Sequence, residues 1–67
     1  MEAIAEGVVS ELLPRQLAKV VLDGRHTVTA HLGNPAQRNY IRVLVGDRVK
    51  VALMAADRGR GRIVEKL

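Results

Sequence analysis

Apolar residues recur along this chain in short runs, often with a period near two, and Gly, Pro, Asn or Asp interrupts each run. That pattern predicts strands rather than helices. Ile4 to Leu13 is the first. Its alternation is poor, and the Gly7 inside it predicts a bulge or a barrel bend. Pro14 ends the run. Leu17 to Leu22 reads as a second strand and Arg25 to Leu32 as a third. Asp23-Gly24 lies between them, a short-range hairpin signal because Gly accepts positive φ without penalty. The third strand alternates most cleanly: Val28, Ala30 and Leu32 fall on one face, and Thr27, Thr29 and His31 on the other.

The segment Gly33-Asn34-Pro35-Ala36-Gln37 has a different grammar. Asn34 suits an N-cap, Pro35 the first helical position and Gln37 the return bond of a capping box. A short helix or 3₁₀ turn is expected from about Pro35 to Ile41. Gly46-Asp47 then turns the chain into a fourth strand, with Val49, Val51 and Leu53 facing inward and Arg48 and Lys50 outward. Met54 to Asp57 reads as a loop, and Arg60 to Lys66 as a fifth strand. Ile41, Val43 and Leu44 are core residues by default. Five strands with a helical turn between the third and fourth describe a small all-β barrel. On periodicity alone, an OB-fold and an SH3-like topology both fit. No internal repeat or low-complexity segment divides residues 1–67, so a single domain is expected.

Composition narrows the chemistry. With no Phe, Trp or Cys, the core must be built from Val, Leu, Ile and Ala. Disulfides and thiolate metal sites are excluded, which fits a reducing compartment. The N-terminus lacks the charged start and apolar run of a signal peptide. No apolar run approaches the roughly 20 residues of a membrane span. A cytoplasmic, monomeric domain with no membrane association is expected.

Charge is unevenly distributed. Residues 1–33 hold three Lys/Arg and four Asp/Glu, residues 34–67 eight and three, so the halves carry −1 and +5. This asymmetry points to a polyanionic partner for the second half. Two clusters carry it. In an extended segment Arg58, Arg60 and Arg62 share one face, and the glycines between them let another backbone approach. Guanidinium forks suit phosphate oxygens. The competing reading is an edge strand blunted by charge against aggregation. The other cluster is Arg38, Asn39, Tyr40 and Arg42. The Tyr40 ring either stacks on a base or, as favoured here, packs on the barrel and hydrogen-bonds through its hydroxyl. His26 and His31 point to opposite faces of an extended strand, so no shared metal site is expected. Lys19, Arg25, Arg48 and Lys50 are secondary phosphate candidates, each otherwise a solvated charge.

The run Arg38-Asn39-Tyr40-Ile41-Arg42-Val43-Leu44-Val45-Gly46-Asp47-Arg48-Val49 resembles the central segment of bacterial translation initiation factor 1. Thr27-Val28-Thr29-Ala30-His31-Leu32 and Gly61-Arg62-Ile63-Val64 extend the resemblance, as do Glu6-Gly7-Val8-Val9 and Leu13-Pro14 nearer the start. Together they cover nearly the whole chain in order. The resemblance implies a five-stranded, S1-like OB-fold that binds RNA. It implies that Arg38, Asn39, Tyr40 and Arg42 reach the decoding region of the small ribosomal subunit, with Arg62 facing RNA and His31 near it. The uncharged Pro35-Ala36-Gln37, Ala18 and Met54-Ala55-Ala56-Asp57 depart from the family pattern.

The implied function is occlusion of the aminoacyl-tRNA site, blocking premature tRNA entry alongside the other two initiation factors. Its partners would be the 16S-type rRNA and a neighbouring ribosomal protein, and no cofactor is implied. Occlusion requires no catalytic group. The sequence holds no nucleophile–His–acid set at useful spacing, no carboxylate pair and no phosphate-cradling loop, so no enzyme is expected. Two further readings differ in class. A cold-shock-type RNA chaperone grips bases on several aromatics, and here Tyr40 stands alone. A protein-interaction barrel would tolerate charge reversal at Arg38, Arg42 and Arg62.

Overall fold

The computed structural model describes residues 3–23, 26–33, 41–54 and 59–67. Five strands are present: β1 (Ala3–Leu13), β2 (Leu17–Leu22), β3 (Thr27–His31), β4 (Arg48–Leu53) and β5 (Arg60–Lys66). They close into a barrel in the order β1-β2-β3-β5-β4, with β4 returning to β1. All pairings are antiparallel except β3 with β5, which run parallel. This is the five-stranded OB-fold. No helix falls among the described residues. Of the helical turn expected from Pro35 to Ile41, all but Ile41 falls outside the described residues, and Ile41 itself is in no helix.

β-Branched side chains dominate the interior, as the lack of large aromatics requires. Val9, Val20, Val28, Val49, Val51 and Ile63 are fully buried, and Ala18 and Ala30 fill the gaps between them. Branched residues fit a pleated, twisted sheet because their χ1 freedom is already restricted there. No charged or polar side chain is buried among the described residues.

Several expectations shift in detail. The register irregularity of β1 falls at Ser10 and not at Gly7: Val9 pairs with Val20 and Glu11 with Lys19. Gly7 is instead a point of close approach, where a Cβ would sit 2.5 Å from the Val21 carbonyl oxygen. The third strand starts at Thr27 and ends at His31, two residues later and one earlier than expected. Leu32 has left the ladder but still points into the core. On β4, Val49, Val51 and Leu53 face inward as expected, Leu53 only half-buried against the core, whereas Ala52 is buried on the outer face. Ala52 is covered because its methyl lies low between its neighbours Ile4 on β1 and Arg62 on β5.

Leu44 is the clearest correction, since 59% of it is exposed. The cause is a hydrogen-bonded turn. The Leu44 N–H donates to Asp47 Oδ2 at 2.8 Å, and the Asp47 N–H donates back to the Leu44 carbonyl at 3.0 Å. The turn is docked on β1 by Gly46 N–H to the Val9 carbonyl and Val9 N–H to the Asp47 carbonyl. Those bonds direct Leu44 and Val45 outward, while Val43 remains buried.

Candidate nucleic-acid interface

The parallel seam between β3 and β5 organises the outer cationic face. Its register sets Thr29 opposite Arg60, Ala30 opposite Gly61 and His31 opposite Arg62. Because side chains alternate, Ala30 and Gly61 turn inward and the other four turn out. β2 extends both outer rows, placing Lys19 beside Thr29 and Leu17 beside His31. The surface therefore reads Lys19, Thr29, Arg60 in one row and Leu17, His31, Arg62 in the next.

Gly61 lets β5 pack closely on β4 beside this seam. An added Cβ would meet Val51 Cγ1 at 2.6 Å and the Ala52 carbonyl oxygen at 2.7 Å. Any larger residue forces the Val51 side chain and the strand backbone at Ala52 or Gly61 to shift. Beneath the arginines lies a shallow groove of about 340 Å³, lined by Leu17, Thr29, His31, Met54, Arg60 and Gly61. A second groove, about 320 Å³, includes Leu17, Leu32 and Arg42 in its walls. Leu17 lines both, so Arg42 adjoins the same face.

Several cations have carboxylate partners. Arg48 contacts Asp23 at 2.9 Å and Glu6 at 3.5 Å. Lys50 approaches Glu65 at 3.9 Å, and Lys19 approaches Glu11 at the same distance. Lys66 meets Asp47 at 3.4 Å. That Asp47 carboxyl is held below the usual carboxylate range, first by the Leu44 N–H and then by Lys66, with partial burial opposing them. Arg42 and Arg62 make no ion pair among the described residues.

Of the residues expected from sequence to meet RNA, the structure brings His31, Arg60 and Arg62 together, with Arg42 adjacent. Arg48 and Lys50 stand apart among carboxylates. Arg38, Asn39, Tyr40 and Arg58 lie outside the described residues. The sequence reading does not single out Leu17, Thr29 or Met54. Alternation does place Thr29 on the His31 face, but the parallel partner that makes the groove leaves no local signal. No cluster of potential metal ligands occurs among the described residues, and no described helix is long and apolar enough to cross a membrane.

A closed five-stranded OB-fold with a cationic groove on its outer face is the architecture of a nucleic-acid-binding domain. No family model matches the chain. Its structure is similar to the solution structure of translation initiation factor 1 from the Wolbachia endosymbiont strain TRS of Brugia malayi. The TM-score is 0.76 and the identity 37%, over 98% of this chain and 78% of that one. The chain belongs to the translation initiation factor 1 family.

Proposed function

We propose that this protein binds the small ribosomal subunit at the aminoacyl-tRNA site during initiation. There it blocks premature tRNA entry and acts together with the other initiation factors. The observation that carries this reading is the outer face on which Arg60, Arg62 and His31 meet beside Arg42, in a chain of this family. Arg42 and Arg62 neutralise rRNA phosphates, with Arg38 and Asn39 extending the contact and Arg58 and Arg60 flanking it. Arg48 and Lys50 contribute less, because binding RNA there means giving up Glu6, Asp23 and Glu65. Affinity then comes from counterion release and specificity from the shape of a folded RNA groove.

The role is steric, so the protein acts as a cytoplasmic monomer without catalysis or cofactor. The test is co-sedimentation with small ribosomal subunits across a salt series, with and without the other factors. Stoichiometric, salt-sensitive binding that competes with a ligand of the aminoacyl-tRNA site is expected. Absence of binding at low salt would overturn the reading. Tight binding to unstructured oligonucleotides at near-physiological salt would favour the chaperone alternative instead.

A further inference from the structure

His31 does more than sit beside Arg62. The Gly33 N–H donates a hydrogen bond to His31 Nδ1 at 2.9 Å. A backbone amide can only donate, so Nδ1 carries a lone pair and the neutral ring bears its proton on Nε2. Gly33 is buried with φ at 96°, a conformation open to glycine and costly for other residues. The residue before it is also anchored. The Leu32 N–H donates to the Gln16 carbonyl at 2.8 Å, and the Leu32 carbonyl accepts the Ile41 N–H at 3.1 Å. The chain thus leaves and rejoins the barrel at Leu32, and the imidazole holds the first amide beyond it.

We propose that His31 is a positioning residue for the RNA-binding site. Its neutral ring fixes the backbone at Leu32-Gly33, to which the Ile41 N–H is bonded, and so sets where Arg42 stands beside this face. This rests on the reading that this face binds ribosomal RNA. A second proton on the ring must go to Nδ1, which removes the acceptor and sets an N–H against the Gly33 N–H. Acid therefore releases the latch. Facing the ring are Leu17 and, one row on, Lys19 from β2, then Arg62 and Arg60 from β5, with Met54 in the groove. None of these is a carboxylate. A direct contact would behave oppositely, because a cationic ring attracts phosphate.

Two variants separate latch from contact. His31→Asn places Oδ1 near the site of Nδ1 and keeps an acceptor for Gly33. His31→Gln places its amide near Nε2 and gives that acceptor up. Binding to small ribosomal subunits is measured against pH, and the Gly33 amide is followed by NMR in the free protein. The Gly33 resonance is expected to move with the imidazole titration in the parent protein. Its exchange protection should persist in His31→Asn and fall in His31→Gln. Binding should hold in His31→Asn and weaken about tenfold in His31→Gln, a difference of about 1.4 kcal/mol. The parent should lose affinity on acidification, although its positive charge rises, and His31→Asn should not. The reverse ranking, or equal behaviour of the two variants, would overturn the proposal. So would a Gly33 amide indifferent to the imidazole, whatever the binding shows. Failure of the parent to bind subunits would remove the ribosomal reading, while the Gly33 titration would still decide whether the latch exists.

Discussion

Two parts of the outer barrel surface carry similar numbers of cations and differ in what surrounds them. Across the β3–β5 seam, Arg60 and Arg62 flank Thr29 and His31 over an open groove. Along β4, Arg48 and Lys50 are set against Glu6, Asp23 and Glu65, in contacts of 2.9 to 3.9 Å. Exposed pairs of that kind contribute only about 0–1 kcal/mol each to stability. Their larger consequence is local: they cancel the field a phosphate would feel. Density of positive charge along a sequence therefore does not locate an RNA-binding face. What locates it is positive charge without a carboxylate set against it, as at Arg42 and Arg62 among the described residues.

The strongest challenge to this contrast is charge reversal. The double variant Arg42→Glu/Arg62→Glu should lose subunit binding by 100-fold or more, about 2.7 kcal/mol, with an unchanged circular dichroism spectrum. Retained binding would empty the β3–β5 face of its assigned role, and loss of the fold would void the assignment. Next comes the packing of β5 on β4. Gly61→Ala forces a methyl against Val51 and the Ala52 carbonyl, and overpacking of this kind costs about 1–3 kcal/mol. Denaturant unfolding should show that loss, which is large for a domain this small.

A smaller effect belongs to the Leu44–Asp47 turn. The Asp47 carboxyl titrates lower in the folded protein than in the unfolded chain. Its stabilisation is therefore fully present above the unfolded value, about 3.9, and disappears as pH falls through the folded one. Asp47→Asn should lower the melting temperature at neutral pH and lose that penalty in acid. A penalty independent of pH would contradict the role given to the carboxylate. The smallest change is expected at β4. Arg48→Ala should cost under about 1 kcal/mol of stability and alter subunit affinity by less than about threefold, or 0.65 kcal/mol.

Strand positions are legible because alternation and turn residues are local signals: β2 and β5 fall where periodicity puts them. Choosing an OB-fold over an SH3-like barrel needs the family resemblance, since both topologies share the same local pattern. Leu44 misleads because its run, Ile41 to Val45, is apolar at every position but Arg42. The Asp47 side chain, accepting a bond three residues back, and the docking of the same turn on β1 direct Leu44 outward. Ala52 escapes a sequence reading for a related reason, since its burial comes from neighbours on two other strands. The site is half legible. Arg60 and Arg62 follow from a period of two, but their alignment with Thr29 and His31 is a non-local, parallel pairing. The carboxylates that silence Arg48 are 42 and 25 residues away in sequence, beyond any local pattern.

The decisive experiment is the salt dependence of small-subunit binding for the parent protein, Arg62→Ala and Arg48→Ala. Each lost phosphate contact should reduce the slope of log K against log salt by about 0.7–0.9. If unmatched charge defines the interface, Arg62→Ala shows that reduction and Arg48→Ala keeps the parent slope. Equal reductions, or a larger one for Arg48→Ala, would contradict it.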